Sequence, residues 1–284
     1  MSGAAPTSTT VAALLRAAAA RLGSSGSPQL DAELLLAETL GVGRGALLAQ
    51  ANDTVEAAQA ARFAALVGRR AAGEPLAYLT GRRDFWTLTL AVTPDVLVPR
   101  PETELLVERA LALVDTGPAD VADLGTGTGA IALALASERP GWRILATDYS
   151  AAALAVARAN AARLGIGNVE FLQGEWCAAL GGRRFRLIVS NPPYIAAGDA
   201  ALSDPALRHE PALALCPGPT GLEALAAIAA QARTHLEPGG HLLLEHGSGP
   251  RAALAGLLVS HGYAHVRCHC DLAGLDRVTE ARSG

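Results

Sequence analysis

The sequence predicts an α/β protein: a doubly wound, mostly parallel sheet with an antiparallel last strand, preceded by a small all-helical N-terminal region. Three observations carry this. From residue 118 to the C-terminus, short apolar runs that read as strands alternate regularly with helical stretches, the pattern that builds a parallel sheet. The last two runs, 266–270 and 276–281, leave no room for a crossover helix, so they must pair as an antiparallel hairpin. The region before residue 73 is helical by composition, without a strand pattern or a chemical motif.

The bulk numbers set limits. A chain of 284 residues, 50% of them hydrophobic, holds one large domain or a medium domain with a small one. No apolar run reaches the about 18 residues of a membrane span. Arg16 and Arg21 interrupt the first apolar stretch, which has no basic start, so no signal peptide is expected and the chain reads as cytoplasmic, with no membrane partner. The net charge is −4, and all 23 basic residues are arginine. With no lysine, Schiff-base and lysine-base chemistry are excluded. The acidic balance also disfavours tight, sequence-independent binding to duplex nucleic acid. The cysteines, Cys177, Cys216, Cys268 and Cys270, form no CxxC pair, so reduced thiols are expected and no metal site.

Taken in order, residues 1–10 read as a frayed tail. A helix over 11–22 stops at Gly23, and Ser24 to Ser27 form a linker. Pro28 opens a second helix with Asp31 and Glu33 in its first turn, where negative charge suits the dipole. Leu30, Leu34 and the residues near them form its apolar stripe, and Gly41 stops it. A short helix is expected over 44–50. Asp53 and Glu56 resemble a capping box for a helix to Arg70, which Gly73 closes. Trp86, Leu88, Leu90 and Val92 alternate with polar or small residues as in a strand, and Thr93-Pro94-Asp95 turns into a second strand over 96–98. This divides the chain into a helical domain at 1–73, a β-hairpin linker at 74–100 and a catalytic-type domain at 101–284.

Beyond it, Pro99-Arg100-Pro101-Glu102-Thr103-Glu104 enters a helix to Val114. Arg100 and Glu102 are either solvated or placed at the mouth of a site. Strands are expected at 121–124, 143–147, 169–172, 185–190 and 241–245. Helices are expected at 130–137, 150–164, 220–236 and 251–260. Pro238-Gly239-Gly240 ends the third of these, and Gly274 turns the final hairpin.

Gly125-Thr126-Gly127-Thr128-Gly129 lies between the first strand and its helix. Glycines there let the backbone turn sharply and approach a ligand closely, with helix amides exposed to an anionic group. Asp148 ends the second strand, where a carboxylate can accept both hydroxyls of a ribose. Together they point to an adenosine-type cofactor, although the loop also fits a relaxed dinucleotide fingerprint. Glu175 and Trp176 follow the third strand at the same edge. They suit a purine ring, and Trp176 equally suits the core.

Ser190-Asn191-Pro192-Pro193-Tyr194 ends the fourth strand. Two prolines cannot continue a ladder or a helix interior, so Asn191 and Tyr194 are held on a stiff backbone. The segment reads either as a rigid turn or as a clamp presenting an amide oxygen, a backbone carbonyl and an aromatic face to a planar guest.

The combination of Asp123-Leu-Gly-Thr-Gly-Thr-Gly129, Asp148 and Asn191-Pro-Pro-Tyr194 resembles the class I S-adenosylmethionine-dependent methyltransferases that modify planar nitrogens. Gly73-Glu-Pro-Leu-Ala-Tyr-Leu-Thr-Gly81, Phe85-Trp86, Val98-Pro-Arg-Pro-Glu-Thr-Glu104, Glu210-Pro211 with Ala214-Leu215, and Leu242-Leu-Leu-Glu-His-Gly247 narrow the resemblance to the peptide chain release factor glutamine methyltransferases (PrmC/HemK). The resemblance implies a seven-stranded, Rossmann-like methyltransferase sheet and S-adenosylmethionine as cofactor. It also implies methylation of the glutamine amide in the Gly-Gly-Gln loop of class I release factors. By position, Gly125, Thr126, Gly127, Thr128, Gly129, Asp148, Trp176 and Asn191 would contact the cofactor. Asn191, Pro192, Pro193 and Tyr194 would hold the glutamine, with Asn191, Pro192 and Tyr194 carrying the reaction. The helical domain would dock the release factor. Glu175 stands where the family often has aspartate, and His209 precedes Glu210 where an aromatic residue is usual.

Three rivals remain open at this point. An adenine or guanine exocyclic-amine methyltransferase would use the same tetrapeptide, but needs base flipping and a basic groove. A nicotinamide oxidoreductase would share the glycine loop and leave Asn191–Tyr194 unexplained. A non-catalytic binding module would bind cofactor and transfer nothing.

Overall fold

The computed structural model describes residues 9–23, 25–249 and 251–284; the expected tail over 1–8 and the linker position of Ser24 lie outside them. The chain forms two compact units, Met1–Gly81 and Arg82–Gly284.

In the first unit, Thr9–Thr10 (β1) pairs antiparallel with Thr54–Val55 (β2). These two threonines therefore do not belong to a frayed tail. Helix α1 (Val11–Arg21) is capped by Thr10, whose hydroxyl accepts the Ala13 amide at 3.3 Å. Helix α2 (Pro28–Leu40) has proline in its first turn and left-handed Gly41 at its end. Its buried face is Ala32, Leu35 and Leu36, while Leu30 is 39% exposed, so the apolar stripe is not the one expected. Two acids occupy the positions beside that face and are buried by pairing, Asp31 with Arg70 and Glu33 with Arg44. The short α3 spans Arg44–Ala49. Helix α4 (Ala57–Ala71) begins at Glu56 without a side-chain cap. The expected capping box is absent because Asp53 and Glu56 flank β2. A further helix unanticipated from sequence, α5 (Leu76–Thr80), carries the unit to Gly81.

The second unit opens with a hairpin, β3 (Arg82–Phe85) against β4 (Leu88–Ala91). Trp86 lies in the turn with φ +56°, and Val96–Val98 are not a strand. The expected hairpin is thus displaced by one strand: the alternation of Trp86 to Val92 reflected packing on one side, and the turn fell inside it. A single 3₁₀ turn, Pro101–Thr103, leads into α6 (Glu104–Leu113).

The sheet follows: β5 (Asp120–Leu124), α7 (Ala130–Glu138), β6 (Arg143–Asp148), α8 (Ala151–Leu164), β7 (Val169–Gln173), β8 (Phe185–Ser190), α9 (Glu223–Ala232), β9 (Leu236–Glu245), α10 (Arg251–Ser260), β10 (Tyr263–Cys270) and β11 (Asp276–Ser283). The seven strands lie in the order β10-β11-β9-β8-β5-β6-β7, parallel except for β11, which is antiparallel to both neighbours. Along β5, β8 and β9 successive side chains go to opposite faces. Val121, Val189 and Leu243 pack with α6 and α7, while Ala122, Ile188 and Leu242 pack with α9 and α10. Both faces are covered, which a parallel sheet requires.

Helix α9 is shorter than expected at both ends. Glu223 accepts the Thr220 amide at 2.8 Å, and Arg233–His235 tighten to a 3₁₀ turn. Pro238-Gly239-Gly240 does not end a helix; it lies inside β9, where Gly239 turns to φ +72° and the pairing with β8 shifts register.

Candidate active site

Four strand ends meet at one level of the sheet. Leu124 pairs with Ser190 on one side and with Thr147 on the other, and Ser190 pairs with Leu244. The next residue of each strand therefore opens the carboxyl edge: Gly125, Asp148, Asn191 and Glu245. Ligands bind at this edge in open α/β sheets because the chain reverses direction there.

Gly125, Gly127 and Gly129 have φ +74°, +56° and +83°, values that glycine adopts without steric cost. A Cβ on Gly129 would lie 3.0 Å from Leu133 Cδ1, whereas nothing lies within 4 Å of a Cβ on Gly127. Gly129 is glycine for packing; Gly127 leaves open space for an approaching group. Thr126 and Thr128 are buried. The Thr126 hydroxyl donates to Asp123 Oδ2 at 2.6 Å, and the Thr128 carbonyl accepts from Asn160 Nδ2 at 3.0 Å. The Thr126 side chain and the Thr128 backbone thus tie the loop to its neighbours.

Asp148 is tied into the same loop. Its Oδ2 accepts the Gly127 amide at 2.8 Å and its Oδ1 the Ser150 amide at 2.9 Å. Each carboxylate oxygen retains a further lone pair for a ligand hydroxyl. Burial raises the Asp148 pKa, and the backbone amides of Ser150, Gly127 and Tyr149 oppose it. Trp176, with φ +47°, is half-buried against the apolar face below, and its ring edge comes within 3.4 Å of a Cβ built on Gly125. It packs on the core and borders the glycine loop. Glu175 is exposed beside it.

Asn191 donates from Nδ2 to the Thr103 hydroxyl at 3.1 Å, leaving Oδ1 as the free acceptor. Pro192 is buried, and Pro193 and Tyr194 are half-buried. The Tyr194 ring packs over Gly247, where a Cβ would stand 3.5 Å from Cδ2. Burial pushes the Tyr194 hydroxyl up to about 12, so it stays protonated. From Ile195 the chain makes a loop of 3₁₀ turns and returns: the Ile195 amide donates to the Leu215 carbonyl at 3.0 Å, and Ala196 bridges Gly218.

That loop is fastened by Glu210, whose side chain is fully buried. Its Oε1 meets Arg100 Nη2 at 2.5 Å and its Oε2 accepts the Val98 amide at 3.1 Å. Arg100 is therefore not a free surface charge. Sequence reasoning missed Thr103, Glu210 and Glu245 as parts of this site. The available signal for Glu245 was an acid ending the apolar run Leu242–Leu244, a buried carboxyl in the making.

The chemistry the arrangement supports is the capture of a planar, hydrogen-donating nitrogen by Asn191 beside a nucleoside-type ligand on the glycine loop. Among the described residues no cluster could hold a metal ion, and none of the helices is long and apolar enough to cross a membrane.

Residues 13–81 match the family model described as the PrmC N-terminal domain, and residues 101–206 that of the methyltransferase small domain. The chain is 49% identical to the release factor glutamine methyltransferase of Burkholderia pseudomallei over 98% of this chain and 97% of that protein. It is 45% identical to the protein of the same name from Escherichia coli, over 94% and 97%. Among solved structures, the hMettl16 catalytic domain aligns with a TM-score of 0.59 at 16% identity, covering 76% of this chain and 80% of that one. A T. thermophilus 16S rRNA methyltransferase (RsmC) in complex with AdoMet and guanosine aligns at 0.53 and 20%, covering 72% and 50%. At such identities these two likenesses concern the fold alone.

Proposed function

The chain belongs to the family of release factor glutamine methyltransferases, and we propose from that premise how its own residues serve the reaction. The enzyme transfers a methyl group from S-adenosylmethionine to the side-chain amide nitrogen of the glutamine in the Gly-Gly-Gln motif of class I peptide chain release factors. The observation that carries the residue assignment is the shared level of Leu124 and Ser190, which sets the glycine loop beside Asn191.

The residues at the loop suit the cofactor: open space at Gly127, three left-handed glycines and the Asp148 carboxylate. When bound there, S-adenosylmethionine supplies an electrophilic methyl group on sulfur. Gly125, Gly127 and Asp148 hold the nucleoside part, and Trp176 borders it.

An amide nitrogen is a poor nucleophile, because its lone pair is delocalised into the carbonyl. Positioning is therefore the main task of the site. Asn191 Oδ1 and the Pro192 carbonyl accept the two amide hydrogens, which orients the nitrogen and favours charge developing on it. Tyr194, protonated and packed on Gly247, lies against the amide plane. No strong base is required, since the methylated product loses its proton to water.

The helical region at 1–73 docks the release factor, the segment 74–100 links it, and 101–284 carries the reaction. The site of action is the cytoplasm, where translation terminates. The test is methyl transfer from labelled cofactor to a purified release factor, with the loop glutamine intact or replaced by alanine. Label that depends on the glutamine supports this reading; label that persists without it, or no transfer, overturns it.

A further inference from the structure

We propose that Asn160 is a positioning residue for the cofactor: its carboxamide joins the end of β4 to the glycine loop and holds that loop in the shape that receives S-adenosylmethionine. This rests on the reading of the loop as the cofactor site and adds to it a residue from α8.

Three left-handed glycines make a loop that loses much conformational freedom when it is fixed. A loop fixed before the ligand arrives spares binding that cost. The first half is held from β6. The Gly125 and Thr126 amides both donate to the Thr147 carbonyl at 2.9 Å, and the Gly127 amide donates to Asp148 at 2.8 Å. The second half turns at Gly127 and again at Gly129, with Thr128 between them. The Thr128 carbonyl accepts from Asn160 Nδ2 at 3.0 Å. Helix α8 comes close at this point, since the Ala157 methyl would lie 3.3 Å from a Cβ on Gly129. Asn160 follows Ala157 at a spacing that puts both on one helical face.

Asn160 is fully buried, and every hydrogen-bonding position of its carboxamide is used. Nδ2 also donates to the Ala91 carbonyl at 3.0 Å, while Oδ1 accepts from the Ala91 amide at 2.7 Å and from Arg163 Nη2 at 3.2 Å. Both donors and both acceptor sites are thereby filled. The reciprocal bonds with Ala91 are those a neighbouring strand would make, so a side chain continues the pairing at the end of β4. The hairpin is anchored in turn. The Trp86 amide donates to Glu104 Oε1 at 2.8 Å and its indole Nε1 to Glu138 Oε1 at 2.7 Å. Leu90, beside Ala91, is fully buried. The second half of the loop therefore leans, through one carboxamide, on a fixed point outside the seven-stranded sheet. An aspartate at this position could accept from Ala91 but donate to neither carbonyl, and an apolar side chain could do neither.

The test compares the full-length wild-type enzyme with Asn160→Leu, which keeps the bulk and removes all of these bonds. Calorimetric titration with S-adenosylmethionine should give a Kd raised about tenfold or more. The cofactor KM should rise with it, while kcat at saturating cofactor and the release factor KM stay within about twofold of wild type. A side chain that merely joined α8 to β4 would lower the melting temperature and leave the cofactor Kd, measured well below melting, unchanged; that result overturns the proposal. If Asn160→Leu does not fold, the wild-type enzyme decides. By linkage, saturating S-adenosylmethionine should slow hydrogen exchange in the peptide spanning β4 about threefold or more, and unchanged exchange there overturns the proposal. A wild-type enzyme that binds S-adenosylmethionine and methylates no release factor overturns the proposed function alone, and the Kd comparison still decides the role of Asn160. Failure of the wild-type enzyme to bind S-adenosylmethionine overturns both.

Discussion

Ser190 donates its hydroxyl to the Leu124 carbonyl at 2.7 Å across the pairing of β8 and β5. Both residues are fully buried, and each is the last before a turn: Gly125 follows one, Asn191 the other. A buried hydroxyl bonded to a strand carbonyl resists slippage, so the glycine loop and Asn191 are held at the same height by the sheet beneath them.

Replacing Asn191 with alanine should remove the clamp and spare the cofactor loop, which is built from β5 and β6. The expected loss in methyl transfer is about 100-fold or more, with S-adenosylmethionine affinity within about threefold of wild type. Single-turnover transfer and calorimetric titration of the cofactor check the two parts.

Asp148→Asn should act in the opposite way. The carboxylate accepts two backbone amides, from Gly127 and Ser150, and an asparagine must turn its NH₂ toward one of them. Cofactor affinity should fall about tenfold or more, while kcat at saturating cofactor recovers most of the wild-type value. Because burial raises the Asp148 pKa, wild-type cofactor affinity should weaken on acidification from a higher pH than a free aspartate would give. Titration calorimetry over pH reads this directly.

Gly221→Ala should damage the clamp from a distance. Gly221 has φ +77°, and a Cβ there would lie 2.5 Å from the Tyr194 carbonyl oxygen. Something must move, and the nearest atom is backbone rather than a flexible side chain. The variant should lose about 2 kcal/mol of stability and a larger share of kcat than of cofactor affinity, seen by thermal melting beside turnover.

Glu245 should make stability depend on pH. Its pKa rises from 4.5 to about 7 on folding. The contribution is fully present below the unfolded value and is lost as pH rises through the folded one. Glu245→Gln does not titrate, so its melting temperature should gain on wild type between about pH 4.5 and 7 and then level off, by about 3 kcal/mol in free energy. A constant difference across that range would contradict the burial assigned to this carboxyl. The wild-type acid thus costs stability at neutral pH.

Much of the fold was legible because its signals are local. Ser150 and Gly165 mark the ends of α8 by a cap and a left-handed glycine, and the apolar runs of β5 and β8 are short enough to be strands. The errors have a common form. Trp86 belongs to a turn although its neighbours alternate like a strand, and Pro238-Gly239-Gly240 sits inside β9 although its residues break helices and strands elsewhere. In both places contacts from elsewhere in the chain overrode local preference: Trp86 is held by bonds from its amide to Glu104 and from its indole to Glu138, and Pro238-Gly239-Gly240 lies where β9 shifts register against β8.

By itself the sequence determined the alternation that makes a parallel sheet, the glycine loop, the acid at Asp148 and the rigid turn at Asn191, because each is written in consecutive residues. Only the tertiary structure decided that Thr103 lies 3.1 Å from Asn191, that Glu245 ends its strand at the level of Asn191, and that Glu210 fastens the loop to Arg100 and Val98. The bonded pairs stand 88 to 112 residues apart along the chain; strand register, set by burying both faces of the sheet, brings them to one edge.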